Sequence, residues 1–429
     1  MSVEPSSPTR RTVLLAGGGV VLAATVGVAV TRAGGGGAAP AKGAHAGGAA
    51  AAGQTGSPLP PPPSVVNTGS MTSTIAPRSD WTWTADGMVR GLQYGGGRLY
   101  VVTLQSLTAV DAATGRLVWR VPMVTTSIGN DFAVDDGVLY ICAQPALGSP
   151  AQLLALDAAS GRRLWAYTPP ETAALNGAFG VLGGGVLLVV FNHVTSQREV
   201  WSVDAVTRRV LWQAACPEGN TLLYLPPTGS LVYSFDPDGA GITALDSAKH
   251  GAVAWSDAAA AADPPSLTSS CIADGLVAGQ VLTVGGDGSV TALDPATGAT
   301  TWQVPPSAST VGSTTGWLFA DGGDVYYLWD GSHLTARRAD AAGTELWTTA
   351  VQTGGFILNA EVMVDTDSGT LFITGADLYA ADLRTGGCRW QYKGHGLMPI
   401  SSDTPMAAGG GRCYVAAEQS TVTALASLA

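Results

Sequence analysis

One sequence pattern, A-x-D-x-x-[ST]-G-x-x-x-W, recurs along most of this chain and constrains its fold more than any other feature. Four copies match it without a gap, at residues 109–119, 155–165, 292–302 and 380–390. Three further copies are altered: residues 202–212 have Arg208 in place of the glycine, and residues 244–255 and 336–347 each carry one additional residue. The tryptophans that end the seven copies lie 43 to 47 residues apart, a period typical of β-propeller blades or solenoids.

Each repeat also contains a second, β-rich half upstream of the motif. Short runs of β-branched, aromatic and aliphatic residues follow a Gly or Asp turn, at residues 97–102, 137–142, 324–328 and 369–373. Turn signals every eight to twelve residues and the lack of a helical period predict four-stranded antiparallel blades. The A-x-D run is then strand C, Thr-Gly is the C-to-D turn, and the tryptophan lies on strand D, where it wedges between blades.

This repeat resembles the tryptophan-docking repeat of pyrroloquinoline-quinone-type propellers. That family includes quinoprotein dehydrogenases and the propeller lipoprotein of the outer-membrane assembly machinery. The resemblance extends over about 350 residues, four fifths of the chain. It implies an all-β propeller fold and says far less about function, because one fold carries many functions.

The ends of the chain predict the number of blades. After Trp390 the sequence supplies runs for strands A, B and C, with strand C at residues 421–425, and then stops. The segment Asp80-Trp81-Thr82-Trp83 is the candidate for the missing strand D, so an N-terminal strand is expected to complete the C-terminal blade and close an eight-bladed ring. Either Trp81 or Trp83 belongs on this strand, and Trp83 is assigned to docking with the seven motif residues Trp119, Trp165, Trp212, Trp255, Trp302, Trp347 and Trp390.

Among these, Trp302 is expected to be the best test of docking. Its motif has no insertion and its own turn glycine, Gly298, is intact. Loss of a buried tryptophan typically costs about 3 to 5 kcal/mol, so we expect Trp302→Ala to destabilise the ring far more than the exposed change Lys249→Ala.

The N-terminus predicts export. Arg10 and Arg11 precede an apolar run that ends near Val30, which is typical of a twin-arginine signal peptide over residues 1–32. The run over residues 13–31 is also close to the length that spans a bilayer, so an uncleaved membrane anchor is the alternative. Residues 33–78 are rich in Gly, Ala, Pro and Ser and predict a disordered linker before the propeller of residues 79–429. The protein is therefore expected outside the cytoplasm, secreted or membrane-anchored.

The charge distribution excludes some partners. Residues 1–78 hold five of the 21 basic residues and one of the 32 acidic residues, which leaves 16 basic against 31 acidic residues and a net charge of −15 for the rest. Such an acidic body argues against nucleic acid or anionic lipid as a main partner. Only three of the basic residues are lysines, and with the abundant Ala and Gly this suggests a GC-rich, actinobacterial genome.

Catalysis is not expected. In quinoprotein dehydrogenases the quinone lies between a tryptophan and a disulfide of adjacent cysteines, and calcium is held by Glu, Asn and Asp. No two of the five cysteines here are adjacent, so we expect no enzyme activity, no cofactor and no metal site. Cys142 and Cys413 lie inside strand runs and are expected to be buried, and a bridge between Cys216 and Cys271 is left open.

Two classes of function remain. The first is a protein-binding scaffold whose partner is an unidentified envelope protein; a source without an outer membrane would require a partner different from the assembly machinery. The second is a sensor that binds a small ligand in the central funnel, which the A strands line. The chain is expected to be a monomer. Candidate funnel contacts, which in the alternative interpretation only cap turns, are Asn130, Asp131, Asn176, Asn220, Asn359 and Asp403.

Overall fold

The structure is a computed structural model of an eight-bladed β-propeller. It describes residues 66–125, 132–215, 222–224, 229–235, 242–257, 271–272, 276–284, 289–305, 317–320, 323–329, 332–351, 362–374, 377–393 and 404–428. These ranges hold 34 strands in eight sheets, and their one helical element is the short 3-10 turn Ser247–Lys249. No helix within them is long and apolar enough to cross a membrane. The candidate signal or anchor, residues 1–32, lies outside the described residues.

The first four blades follow one another along the chain. Strands β1 (Val66–Ser70) and β2 (Ser79–Thr84) precede them. Blade 1 contains β3 (Val89–Gly95), β4 (Arg98–Thr103), β5 (Ser106–Asp111) and β6 (Leu117–Pro122). Blade 2 contains β7 (Val124–Thr125), β8 (Phe132–Asp135), β9 (Val138–Gln144), β10 (Gln152–Asp157) and β11 (Arg163–Tyr167). Blade 3 contains β12 (Ala173–Leu182), β13 (Gly185–Asn192), β14 (Gln197–Asp204) and β15 (Val210–Ala215). Blade 4 contains β16 (Leu222–Tyr224), β17 (Leu231–Phe235), β18 (Ile242–Asp246) and β19 (Ala252–Asp257).

The last four blades complete the ring. Blade 5 contains β20 (Cys271–Ile272), β21 (Val281–Val284), β22 (Val290–Leu293) and β23 (Thr300–Val304). Blade 6 contains β24 (Trp317–Ala320), β25 (Val325–Trp329), β26 (His333–Arg338) and β27 (Glu345–Ala350). Blade 7 contains β28 (Val362–Asp365), β29 (Thr370–Thr374), β30 (Leu378–Asp382) and β31 (Cys388–Tyr392). Blade 8 contains β32 (Met406–Gly409), β33 (Arg412–Glu418) and β34 (Thr421–Ala426), and β2 is its fourth strand.

Within each blade the strands A to D are antiparallel neighbours from the centre outward, and they follow chain order except in blade 8, where β2 is strand D. In blade 2, β7 and β8 both pair with β9. The first strands of successive blades approach one another around the centre of the ring. This order places all A–B and C–D turns at one end of the propeller. The B–C turns and the connections between blades lie at the other end, which we call the B–C end.

The core lies between the blades, where each joint between two neighbours holds one apolar cluster. In blade 1, for example, Leu99 and Val101 pack toward blade 8, while Tyr100 and Val102 pack toward blade 2. Alternate residues of a strand point to opposite faces of its sheet, so a blade with neighbours on both sides buries both faces. This is why the middle strands are continuously apolar and not alternating.

The ring closes as the sequence predicts. Strand β2 pairs antiparallel with β34, with Trp83 opposite Val422 and Thr84 opposite Thr421. The first turn of blade 1 also meets blade 8, because the Tyr94 ring stacks on Tyr414 with their centroids 5.9 Å apart. The two ends of the chain therefore share one blade, and this shared blade closes the ring.

The predicted linker is wrong at its C-terminal end. Residues 66–78, which we call the strap, are described and ordered against the ring. Strand β1 is a fifth, parallel strand on the outer edge of β27 in blade 6. The strap then crosses blade 7, where the main-chain N–H of Gln391 donates to Ile75 O at 3.0 Å, and reaches blade 8, where the main-chain N–H of Ala426 donates to Arg78 O at 2.9 Å. The composition of the strap predicted disorder. The strap is nevertheless held mainly by main-chain hydrogen bonds to the blades, and composition does not reveal such bonds.

The repeated motif forms a turn on which the indole of the preceding blade rests. In blade 1 the Asp111 carboxylate accepts hydrogen bonds from the Thr114 N–H at 2.9 Å and the Thr114 hydroxyl at 2.7 Å. Gly115 has φ of 71°, and a Cβ there would lie 2.7 Å from Cδ2 of Trp81. The Trp81 Nε1–H donates to Ala112 O at 3.1 Å, so the turn both seats the ring and binds its only donor.

The same packing and the same hydrogen bond recur at three other joints between blades. At each of them the indole Nε1–H donates to the carbonyl of the residue that follows the turn aspartate, at 2.9 to 3.0 Å. The indole ring also covers the turn glycine. The pairs are Trp119 with Gly161, Trp255 with Gly298, and Trp347 with Gly386. Trp390 instead donates to Ala426 O at 2.9 Å, because strand D of blade 8 is β2 and no C–D turn of this kind joins it to β34.

The turn aspartates remain charged well into the acidic range. Hydrogen bonds from the Thr114 hydroxyl and N–H lower the pKa of Asp111, and the Ser160 hydroxyl and N–H do the same for Asp157. A lowered pKa in the folded state stabilises the turn above the ordinary pKa of aspartate, and this contribution is lost as the pH falls through the folded value. These carboxylates are exposed, and their role is to order the turn.

Two of the predicted docking residues are wrong. Trp83 is not on the blade 1 turn, because Trp81 occupies that seat. Trp302 is half-buried and its Nε1–H donates to Gln280 of its own blade at 2.7 Å. In the turn of blade 6, Arg338 stands in the aspartate position and Gly343 lies five residues after it, where the regular turns have four. Val304 packs against Gly343 in the place of an indole. Docking therefore depends on the turn of the next blade and not on the motif that contains the tryptophan.

Two further joints depart from the regular geometry. Trp165 faces the turn of blade 3, where Arg208 has φ of 63° and supplies a Cβ that the glycines lack, and the indole stays half-buried. Trp212 covers Gly251, but blade 4 has five residues from Asp246 to Gly251, and the buried Trp212 Nε1 finds no acceptor among the described residues. An indole can thus pack on the turn of the next blade without forming the hydrogen bond.

We predict that the two kinds of joint differ in stability. Trp119→Ala removes a buried, hydrogen-bonded indole and should lower the free energy of unfolding by about 3 to 5 kcal/mol. Trp302→Ala removes a half-buried one and should cost less than about 2 kcal/mol. Chemical denaturation of both variants checks the ranking, and an equal or larger loss for Trp302→Ala would contradict the assignment of this joint as undocked.

A second prediction concerns ring closure. Gly409 and Gly95 both end the A strand of their blade before a Gly-Gly turn, but Gly409 has φ of 148° and a Cβ there would overlap the Tyr94 ring. A Cβ at Gly95 would meet only Tyr100 Cε2, at 4.0 Å. We expect Gly409→Ala to cost at least about 2 kcal/mol of unfolding free energy, and Gly95→Ala to cost less than about 1 kcal/mol. Equal losses in urea titrations would show that Tyr94 does not pack across the closing joint.

Candidate functional site

The two ends of the propeller differ in what they expose. The A–B and C–D end carries the docking turns, so the recurring sequence motif is accounted for by blade packing. The B–C end has no such structural task in the described residues. The B–C end is therefore the candidate functional site.

In blade 1 the B–C turn presents Leu104. Thr103 Oγ1 accepts from the N–H groups of Gln105 at 3.2 Å and Ser106 at 3.0 Å, which fixes the turn. The Ser106 hydroxyl donates to the Asp86 carboxylate at 2.9 Å and ties the turn to the connection from blade 8. The Leu104 side chain is nonetheless 44% exposed.

Blades 2 and 3 present aliphatic residues in the same way. In blade 2 the Ser149 hydroxyl donates to Ala146 O at 2.6 Å and closes a turn in which Leu147 is 87% exposed. In blade 3 the Asn192 side-chain oxygen accepts from the N–H of Val194 at 2.9 Å, and Val194 is 74% exposed. Hydrogen bonds thus hold each of these apolar side chains in solvent.

The blade 3 turn is further supported from below by Glu199. Its carboxylate accepts from the Asn192 amide at 2.8 Å and from the buried Trp201 indole at 2.6 Å. The capping side chain of the turn is therefore itself fixed by the core of the blade. Such support is typical of a contact surface that is organised before binding.

Trp83, which the sequence assigned to docking, lies next to this surface. The guanidinium of Arg120 lies over its ring, 6.0 Å from the centroid, and Arg120 also pairs with Asp86 at 3.5 Å. Tryptophan and arginine residues are enriched at the energetic centres of protein interfaces. We call Trp83, Leu104, Arg120, Leu147 and Val194 the B–C surface.

Sequence reasoning missed this surface. The signal in the sequence is an aliphatic residue at the centre of three successive B–C turns, where polar residues are usual. Each residue is unremarkable alone, because single exposed aliphatic side chains are normal. Only the ring places the three on neighbouring blades at the same end.

One of the predicted funnel contacts is described. Asn176 is exposed on the innermost strand of blade 3, where a bulge between Leu175 and Gly177 interrupts the pairing of β12 with β13. The structure therefore places a free polar side chain on the funnel wall. The other candidates, Asn130, Asp131, Asn220, Asn359 and Asp403, lie outside the described residues, so the structure brings no second funnel contact to Asn176.

The cysteines in the described core are thiols. Cys142 and Cys413 form no disulfide and are buried, as the sequence predicted. Cys388 also forms no disulfide, and burial raises its pKa to about 11, which keeps it protonated and unreactive. The Cys216 to Cys271 bridge cannot be placed, because Cys216 lies outside the described residues. Over the ranges that the structure describes, no group of three or more His, Cys, Asp or Glu residues is arranged to hold a metal ion.

Solved propellers of known function share this fold. BamB from Moraxella catarrhalis matches with a TM-score of 0.53 at 15% identity, over 82% of this chain and 100% of that chain. The quinohemoprotein alcohol dehydrogenase from Comamonas testosteroni matches with a TM-score of 0.51 at 15% identity, over 82% of this chain and 76% of that chain. A europium-containing methanol dehydrogenase matches equally well, at 15% identity over 79% of this chain and 84% of that chain. At such identities these likenesses establish the fold alone.

Sequence comparison is more specific. No curated protein matches the chain. The family model described as "Outer membrane protein assembly factor BamB" matches residues 73–191, 149–329 and 330–428, which together span the whole propeller. The chain therefore belongs to the family of outer membrane protein assembly factor BamB, a family of propellers built from pyrroloquinoline-quinone-type repeats.

Proposed function

We propose that this chain is a non-catalytic, protein-binding propeller of the cell envelope, and that its B–C surface is the docking site. The observation that carries the proposal is the presentation of Leu104, Leu147 and Val194 on hydrogen-bonded turns of three successive blades. Water solvates these side chains poorly, and contact with a partner removes their apolar area from water.

The composition of the B–C surface fits a protein partner. Aliphatic side chains on fixed turns lose little conformational freedom on binding, and Trp83 with Arg120 adds a stacked pair of the kind that anchors interfaces. Membership of a family named for an assembly factor favours an envelope-associated protein as the partner. The twin-arginine-like N-terminus of the sequence favours export, either secreted or with an uncleaved anchor, and we propose that the exported chain acts as a monomer.

The enzyme alternative has the support of the fold only. The quinoprotein dehydrogenases share the propeller, and the sequence lacks the adjacent cysteine pair on which their quinone rests. The blade joints that depart from regular geometry do so through an additional turn residue or through an arginine in the place of the turn glycine or aspartate. These points favour binding over catalysis.

A small-ligand sensor is the second candidate, and one observation favours it. Asn176 is exposed on the funnel wall at a strand bulge, a position from which an amide can bond a polar ligand. The B–C surface combines five side chains that suit one type of partner, whereas Asn176 is a single group. We therefore place protein binding first.

Site-specific photo-crosslinking tests the docking site. A photoreactive residue at position 104, 147 or 194 of the full chain, expressed in its native cells, should form a covalent adduct with one and the same partner protein from at least two positions. Val206 provides the matched control, because it is 83% exposed on the C–D turn of the same blade as Val194 but lies at the opposite end of the ring. Mass spectrometry identifies the adducts. The same adduct from position 206, or none from the B–C positions, would contradict the assignment.

The absence of catalysis is tested separately. The purified full chain, supplied with pyrroloquinoline quinone and calcium, should show no dye-linked oxidation of alcohols or sugars. The reason is that a quinone bound without its disulfide partner lacks one side of its usual stack. Turnover above that of a reaction without protein would reject the binding-propeller proposal, whatever the crosslinking shows.

A further inference from the structure

The outer edge of blade 6 differs from that of every other blade in the described residues, because a parallel strand covers it. Strand β1 pairs with β27 in the register Val66 with Trp347 and Asn67 with Thr348, and the pairing is irregular before it resumes at Ser70 with Ala350. Addition of an extended segment to an open sheet edge is a general mode of peptide recognition. The occupant in this structure is the chain's own strap.

One side chain anchors this occupant. Met71 is 1% exposed and packs in the apolar cluster between blades 6 and 7, with Trp347 and Leu371. Its N–H donates to Ala350 O at 2.6 Å, so the anchor directly follows the paired strand. Main-chain pairing next to a single filled socket is the arrangement by which edge-binding sites obtain both affinity and selectivity.

The rest of the strap contributes little burial. Between Gly69 and Asp80, Met71 is the only residue whose side chain is buried, and Ile75 is 51% exposed. Residues 66–77 contain no charged residue. Beyond residue 78 the chain is fixed, because β2 completes blade 8. The short segment 66–71 can therefore leave its edge while the ring stays closed.

We propose that the outer edge of β27 and the Met71 socket form a strand-binding site, which residues 66–71 fill as an exchangeable internal ligand. The partner that replaces them is an extended, uncharged protein segment that places a methionine-sized apolar side chain in the socket. The chemistry of the resident segment defines this partner. The site lies on the outer rim of blade 6, and the proposal does not rest on the B–C surface.

The exchange is tested with a labelled peptide of residues 64–76 as the probe. Met71→Asp in the full chain places an unpaired charge in an apolar socket and should release the internal segment. The variant should then bind the peptide at least ten-fold more tightly than the wild-type chain does, measured by fluorescence anisotropy. The same peptide with aspartate at the methionine position should bind neither chain.

Ile75→Asp is the matched control, because Ile75 belongs to the same strap but is exposed, and this variant should behave as the wild type. Circular dichroism establishes that the variants are folded. A folded Met71→Asp chain that does not bind the peptide, or equal binding to it and to the wild type, would overturn the proposal.

A milder variant covers the case in which Met71→Asp does not fold. Met71→Ala empties the socket without adding charge, and excess peptide should raise its melting temperature by several degrees while leaving that of Ile75→Ala unchanged. Absence of this rescue would overturn the proposal. A disulfide formed between separate chains that carry Ser70→Cys and Ala350→Cys would identify a second copy as the occupant and would overturn the assignment to a different partner.

Discussion

The contact on which the ring depends is an indole resting on a turn that has no Cβ. A tryptophan on the outer strand of one blade covers the glycine of the next blade's C–D turn and donates to a carbonyl of that turn, as in Trp119 on Gly161 with Ala158 O. The contact is directional, because it links each blade to the one that follows. A small set of requirements, an aspartate, a glycine four residues later and a tryptophan one blade earlier, therefore specifies the order and the spacing of the blades.

The exceptions show which of these requirements matter. With five residues from Asp246 to Gly251, one more than in the regular turns, the Trp212 ring still packs but its N–H loses the acceptor. The turn of blade 6 is equally long but has Arg338 in the aspartate position, and there Val304 takes the place of the Trp302 indole. An additional residue thus accompanies the loss of the hydrogen bond, and the loss of the aspartate as well accompanies the loss of packing. Propellers tolerate such joints because a closed ring holds each blade from both sides.

The period of the tryptophans and the missing last strand were enough to predict eight blades and their closure by β2. The choice between Trp81 and Trp83 was not predictable, because residues two apart on a strand share a face and only the register with β34 decides which one reaches the turn. The strap escaped prediction for a different reason. Backbone pairing on an existing edge needs no β-rich sequence, so Val-Asn-Thr-Gly-Ser gives no strand signal. The B–C surface needs the ring itself, since its residues are far apart in sequence.

The division of work between the two ends of the propeller explains why the motif says so little about function. Docking at the A–B and C–D end requires a fixed turn geometry, and this is the end that the repeat describes. The B–C turns take no part in docking, and Leu104, Leu147 and Val194 are held there by local hydrogen bonds that place no demand on the residue at the tip. The tip residues are therefore free to change without loss of the fold. At 15% identity the fold is accordingly what the comparison with solved propellers retains.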